Sequence, residues 1–453
     1  MNRRTWIAVV TAALAAAVFG ISAARPQAKT GTPLLVMISI DGLRPDYITA
    51  ADQHGAKVPN LRRFLKEGTY AEGVQGVVPT VTYPSHTTLI TGVWPAKHGI
   101  LGNATFDPLR KNSEGWYWYA EDIKVPTLWD AAAKAGRTTA SVQWPVSVGA
   151  PVNWVIPEFW RANTPEDAKL LRAVSTPGLL VEAQQEIGPY CGGIETSVEA
   201  DKTRGRFARW ILEKKHASLL TLHLIALDHI EHETSPFSPE AIATLEELDG
   251  VIASVRETAE KLAPGRAYVA VVSDHGFVKT ENQLDLFPAF RDANLFTVDD
   301  KGKITDWRAI PWVTGGSAAI MLKDPNDWAT LGEVRELLAK IASDPANGID
   351  RVLEADDLHK RGGYPPASFF VSLKPGWKTG SSLTDPLLSK VKLGGTHGEL
   401  PDVPELRASF FLVGPGVPAG KSLGLIDMRS IAPTLAHAAR LSLPSADGEN
   451  LLP

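Results

Sequence analysis

Three stretches of this chain are almost wholly apolar: Leu34–Ile40, residues 219–227 and Ala267–Val272. A strand with one wet face alternates apolar and polar residues. Runs this continuous therefore predict central parallel strands covered on both faces. Each run stops at a carboxylate, at Asp41, Asp228 and Asp274 in turn. Elsewhere the periodicity becomes helical. Residues 58–68 (VPNLRRFLKEG) read as a short amphipathic helix with a glycine stop, and 127–135, 166–188, 199–215 and 239–262 read as further helices. A strand is expected at 140–143, another at 408–413, and a closing helix at 426–439. Buried strands alternating with helices predict an α/β fold, with a mostly parallel central sheet sandwiched by helices.

That pattern fails between residues 277 and 392, where short mixed strands, a helix near 331–343 and many Gly, Pro and Lys replace it. This stretch is expected to be a small inserted subdomain, with 33–276 and 393–453 forming the core. The second irregular stretch, residues 80–103 (TVTYPSHTTLITGVWPAKHGILGN), is the centre of the chain. Pro84 suits the first turn of a helix, and Gly92 suits its end. Thr82 then lies among N–H groups that lack helical partners, which favours a phosphoryl anion beside its hydroxyl. As an isolated feature such a Thr is a helix cap. Asn103, beyond the helix, can donate its side-chain amide to a phosphoryl oxygen.

Composition narrows the setting. Arg3-Arg4, an apolar Thr5–Ile21 and Ser22-Ala23-Ala24 read as a signal peptide over 1–24. That apolar run is too short for a membrane anchor, and no later stretch spans a bilayer, so an exported protein, periplasmic or secreted, is expected. The net charge of −5 becomes −7 without Arg3 and Arg4, which gives no electrostatic basis for a nucleic-acid partner. Cys191 is the only cysteine of 453 residues. Internal disulfides are excluded, and stability is left to the core and to bound metal. The sequence leaves the oligomeric state open.

Three Asp and three His now need a chemical reading. Asp228 and His232 are four apart, on one face of a helical turn. Asp274 and His275 are adjacent, and His397 lies in Gly394-Gly395-Thr396-His397-Gly398. Imidazole and carboxylate together suit a zinc-type site. Two ligand sets are expected: Asp228, His232 and His397, and Asp41, Asp274 and His275 with the Thr82 oxygen. A pair of divalent ions so held would clamp both oxygens of an in-line displacement at phosphorus and activate the Thr82 hydroxyl.

Read in order, SIDGLRPDY, PTVTYPSHTTLITGVWPAKHGILGN, LDHIEH, VSDHGF and GGTHGELPD resemble the nucleotide pyrophosphatase/phosphodiesterase family of the alkaline-phosphatase superfamily. The resemblance runs from Leu34 to the final helix. It implies an alkaline-phosphatase-like sheet and two zinc ions per chain, held by Asp41, Thr82, Asp228, His232, Asp274, His275 and His397. It further implies Thr82 as nucleophile, Asn103 as phosphate contact, and a small-molecule phosphodiester or nucleotide substrate cleaved through a phosphothreonine.

Tyr83, Ser85 and Glu231 depart from the family's usual Phe, Asn and Gly. Tyr83 and Trp144, with Trp116 or Trp118, are expected to pack against the group esterified beyond phosphorus. Residues 140–150 (ASVQWPVSVGA) contain no cation, which favours diesters over monoesters; Lys360-Arg361 is the alternative source of one. The rival readings are a phosphomonoesterase or phosphonate hydrolase of the same superfamily, and a non-catalytic metal- or ligand-binding protein on the same fold. A sulfatase would need Cys or Ser where Thr82 stands.

Overall fold

The computed structural model describes residues 31–112, 115–161, 164–191 and 195–453, so the expected leader at 1–24 lies outside the described residues. At its centre is a sheet of eight strands: β1 (Leu34–Ile40), β2 (Thr69–Tyr70), β3 (Thr139–Val142), β4 (Trp154–Ile156), β5 (Leu219–Leu224), β6 (Ala267–Val272), β7 (Phe410–Val413) and β8 (Lys421–Ser422). Their spatial order is β8-β2-β7-β6-β1-β5-β3-β4. β1 runs parallel to both neighbours, with Ser39 opposite His223 on β5 and Val272 on β6. Only β7 is antiparallel to the strands beside it.

Helices cover both faces: α1 (Pro59–Glu67), α2 (Thr82–Thr91), α3 (Leu128–Lys134), α4 (Val198–Lys215), α5 (Ala226–Thr234), α6 (Pro239–Leu262) and α7 (Ile431–Ala438). Side chains of β1 alternate between two cores. Val36, Ile38 and Ile40 pack with α1, α4 and α6, whereas Leu35 and Met37 pack with α2, α3 and α7. Each such side chain contributes roughly 1.5–3 kcal/mol on leaving water. Both phases of the strand must therefore be apolar, which is why β1 reads as an unbroken run. Ser39 on β1, and Thr221 and His223 on β5, are the polar exceptions, and each is hydrogen-bonded.

Four boundaries differ from expectation. β5 stops at Leu224 instead of running to residue 227, because the N–H groups of Ile225 and Ala226 donate to Asp201 Oδ2 at 2.9 and 2.8 Å and α5 begins there. The helical pattern at 166–188 splits into Asp167–Val174 and Leu179–Ile187 at Gly178, whose φ is 80°. The closing helix begins at Ile431, since Leu425–Asp427 pairs as a strand with Gly73–Gln75. The strand expected from 408 begins at Phe410.

Residues 278–396 build three further sheets, the smallest pairing Phe296–Val298 with Ile304–Trp307. Val278–Leu284 pairs with Gly376–Thr379 and Leu388–Thr396, and a four-stranded antiparallel sheet backs onto the helix Trp328–Ala342 around its own apolar cluster. Leu388–Thr396 returns the chain to His397. Among the described residues, no helix is long and apolar enough to cross a membrane.

The start of α5 depends on one buried ion pair. Arg204 Nη1 donates to Asp201 Oδ1 at 2.5 Å, with both side chains fully buried, while Asp201 Oδ2 holds the first N–H groups of the α5 turn. Arg204→Met should lower stability by about 3–5 kcal/mol, because an uncompensated buried carboxylate remains. The urea midpoint should fall with its slope unchanged. A loss below about 1 kcal/mol would show that the pair does not anchor α5.

Candidate active site

The parallel strands deliver their carboxylates to one sheet edge. Asp41 follows β1, and Asp274 and His275 follow β6. Asp228 sits in the first turn of α5 with His232 one turn on, and His397 follows Leu388–Thr396. Gly42, at φ 74°, turns the chain after Asp41 so that its N–H donates to Asp274 Oδ1 at 3.2 Å. A side chain there would meet Glu231 Oε2 and the Phe277 ring at 2.9 Å. Position 42 therefore needs glycine on two counts.

The six candidate ligands come together. His275 Nε2 lies 3.0 Å from Asp274 Oδ2 and 3.4 Å from Asp41 Oδ1. Asp228 Oδ1 lies 3.5 Å from His232 Nε2 and 3.6 Å from His397 Nε2. The rings of His275 and His397 stack at 3.6 Å, so the two expected sets adjoin, and His275 is within reach of both. His232 stands at the rim with 40% of its side chain exposed; the others are buried or nearly so.

The orientation of the imidazoles is fixed from behind. Nδ1 of His232, His275 and His397 faces the carbonyls of Gly395, Gly276 and Thr80 at 3.0, 3.1 and 3.0 Å. A carbonyl only accepts, so each Nδ1 carries hydrogen and each ring turns its Nε2 inward. Opposite these nitrogens, Asp41 Oδ1, Asp228 Oδ1 and Asp274 Oδ2 are buried without a hydrogen bond, as is His275 Nε2. Lone pairs face lone pairs, and only a proton or a cation can sit between them. These residues fit divalent ions of the N- and O-ligated kind.

Ionisation follows the same crowding. Burial, then the charge of Asp274 and Asp228, pushes Asp41 well above the usual carboxylate range. Burial also opposes the charge on Asp274, but the adjoining His275 outweighs it and holds that carboxyl low. Burial, with His275 and His232 nearby, holds His397 well below the usual imidazole range.

Thr82 is the first residue of α2, with Val81 as the cap residue, and it is nearly buried. The Tyr83 N–H donates to Asn103 Oδ1 at 2.9 Å, which leaves Asn103 Nδ2 as its donor. Pro84 has no N–H, and the Ser85 N–H bonds the Val81 carbonyl. His86 Nδ1 donates to the Thr82 carbonyl and its Nε2 meets Ser39 Oγ, both at 2.9 Å, which ties the turn to β1. Burial and the nearby His223 push His86 down to about 3, so this ring is neutral.

The aromatic wall differs from expectation. Trp144 is fully buried on the far side of α2, edge-on to His86 at 4.9 Å, and has no surface to offer a substrate. Tyr83 is also fully buried; its hydroxyl donates to Glu158 Oε1 at 2.9 Å beneath Trp116 and Trp118. Trp116 and Trp160, 5.0 Å apart and half-buried, are the rings of this cluster that reach solvent. The sequence alone assigns no role to Glu158, His223 or His86. The available signal was a lone histidine near the end of an apolar strand.

The sequence model of type I phosphodiesterase / nucleotide pyrophosphatase matches residues 35–399. The chain belongs to this family. Human ectonucleotide pyrophosphatase/phosphodiesterase family member 1 is 25% identical over 265 residues, 55% of this chain and 24% of that protein. Human bis(5'-adenosyl)-triphosphatase ENPP4 is 24% identical over 272 residues, 59% of this chain and 53% of that one. The chain thus spans a quarter to a half of the length of these curated relatives. Human family member 5 is 21% identical over 91% of this chain and 76% of its own.

Among solved structures, human ectonucleotide pyrophosphatase/phosphodiesterase 5 superposes with a TM-score of 0.65 at 19% identity, covering 92% of this chain and 97% of that one. An inactive murine form in complex with AMP gives 0.63 at 18%, with the same coverage. These likenesses show the fold, an alkaline-phosphatase-like sheet.

Glu399, two residues past His397, is fully buried with neither carboxyl oxygen bonded, and burial pushes it up to about 8. The unfolded chain ionises it near 4.5. The folded state therefore holds an extra proton between those values, and stability falls as pH rises through that window. Glu399→Gln should remove this slope, worth on the order of several kcal/mol at ~1.4 kcal/mol per pH unit. Urea midpoints at pH 5 and pH 8 test it: wild type should lose more than the variant. Parallel slopes would show that Glu399 is already ionised in the fold.

Proposed function

We propose that this protein is a metal-dependent phosphodiesterase or nucleotide pyrophosphatase that works through a phosphothreonine at Thr82. One observation carries the reading: unpartnered carboxylate oxygens and inward imidazole nitrogens converge in the structure that also presents Thr82 at the start of α2. Asp228, His232 and His397 would hold one ion, and Asp41, Asp274 and His275 with the Thr82 oxygen the other. The mixed imidazole and carboxylate donor set suits zinc. Ions bound there would lower the pKa of the Thr82 hydroxyl and offset charge on the leaving oxygen.

The chain's own residues do the rest. Thr82 Oγ attacks phosphorus as the bond to the leaving oxygen breaks, and water then breaks the Oγ–phosphorus bond and restores the hydroxyl. Asn103, fixed by the Tyr83 N–H, donates from Nδ2 to a non-bridging oxygen as charge shifts onto it. The free end of α2 adds a partly positive field.

We further propose that diesters and anhydrides are preferred to monoesters. Lys360 is paired with Asp357 at 2.9 Å and Arg361 with Asp402 at 3.6 Å, so neither expected cation is directed to a phosphoryl group. Half-buried Trp116 and Trp160 offer a ring surface beside Tyr83 for the esterified group, worth on the order of 1–3 kcal/mol per stacked ring. Export and an inserted subdomain at 277–392 remain part of this proposal.

Two measurements test it. Thr82→Ala should abolish turnover while two metal ions stay bound, since six ligands remain; residual activity above a few per cent would remove Thr82 as nucleophile. The kcat/KM for a bis-aryl phosphodiester should exceed that for the matched aryl phosphate by about tenfold or more. The reverse order would place the protein among monoesterases.

A further inference from the structure

Behind Asp41 lies a buried polar chain that the proposed reaction does not use. The Tyr83 hydroxyl donates to Glu158 Oε1 at 2.9 Å. Glu158 Oε2 meets His223 Nδ1 at 2.9 Å, and His223 Nε2 meets Asp41 Oδ2 at 3.1 Å. Glu158 and His223 are 3% and 1% exposed. Burying a carboxylate and an imidazole beneath a sheet edge costs several kcal/mol unless each polar atom finds a partner. Here every one does.

Two observations indicate that this arrangement is specifically maintained. His223 Nδ1 also faces the Gln143 carbonyl at 3.1 Å, so it looks at two acceptors and must carry hydrogen. That fixes the face of the ring toward Asp41. The carbonyl is aimed by a backbone few side chains adopt: Gln143 has φ 58°, and β-branched Val146, three residues on, has φ 55°. Positive φ costs on the order of 1–3 kcal/mol at such positions and persists where the surroundings enforce it.

Asp41 is thereby divided. Its Oδ2 is engaged through one hydrogen shared with His223 Nε2, and its Oδ1 is left buried and unbonded beside His275.

We propose that Glu158 and His223 are positioning residues that hold Asp41 as a one-oxygen ligand for the ion bound with Asp274 and His275. The proposal rests on the two-metal reading above. Glu158 sets the ring and strengthens its grip on Asp41, and Tyr83 links that support to the turn that carries Thr82. Outer partners of this kind typically change metal affinity 10–100-fold when removed.

Glu158→Gln is the sharpest test. It is nearly isosteric and can still bond both Tyr83 and His223, but it removes the carboxylate. Zinc affinity is measured on metal-free protein by competition with a chromogenic chelator, and near-ultraviolet circular dichroism checks the fold. The variant should bind one ion as wild type does and the other about 10–100-fold more weakly. A general loosening would weaken both ions equally, and a bystander would change neither; either result overturns the proposal. Glu158→Asp, which keeps the charge but withdraws it by one methylene, serves if the first variant fails to fold, with a smaller loss at the same single site. Wild-type protein that takes up fewer than two ions would instead defeat the underlying two-metal reading.

Discussion

Carboxylates brought together out of water are the constraint on which this structure turns. Two like charges about 4 Å apart repel by about 4 kcal/mol even at an effective dielectric of 20. A domain is stable by only about 5–15 kcal/mol in total. Asp41, Asp228 and Asp274 therefore cannot all be charged at the sheet edge without positive charge among them. The upward push on Asp41 reflects that conflict, and the adjoining His275 relieves it at Asp274. A divalent ion held there would resolve it with both carboxylates ionised, and would couple metal uptake to folding.

The fold delivers this arrangement through rigid parts. Parallel strands buried on both faces fix where β1 and β6 end to within the hydrogen-bond register, and α5 starts where Asp201 captures its first N–H groups. Three histidines are then locked by backbone carbonyls, so no loop rearrangement is needed to turn Nε2 inward. Pre-orientation of this kind matters for charge stabilisation, because donors already in place need no reorganisation during reaction.

Much of this was legible in the sequence, for a physical reason. Unbroken apolar runs that stop at Asp41 and Asp274 identify strand ends because only a strand covered on both faces has that composition. Asp228 was found one element early: a run of leucines does not reveal that Asp201, far along the chain, starts a helix at Ala226. His397 was placed by its motif, since nothing local links it to Asp228. The Glu158–His223 support was missed because one histidine in an apolar strand looks the same whether it is satisfied core or the back of a metal site. Trp144 was misplaced because residues 140–150 do not show that the chain reverses at Gln143. That reversal carries the ring under α2 into the other core.

Glu231 poses a sharper question, because it stands beside His232 where the family usually has glycine. A further charge there would deepen the repulsion already present. The structure turns the side chain away from the cleft: Oε1 accepts from the Tyr47 hydroxyl at 2.7 Å, and that hydroxyl in turn accepts the Phe237 N–H at 2.6 Å. Burial, opposed in part by this hydrogen bond and reinforced by the nearby Asp228, pushes the carboxyl well above its ordinary range. Burial thus opposes a charge on Glu231, which adds bulk and a hydrogen bond beside His232. Its bulk has a cost in sequence freedom, since Oε2 sits where any side chain at position 42 would go. Glu231 thus forms a clamp between α5 and the turn after Asp41 without displacing any of the candidate ligands.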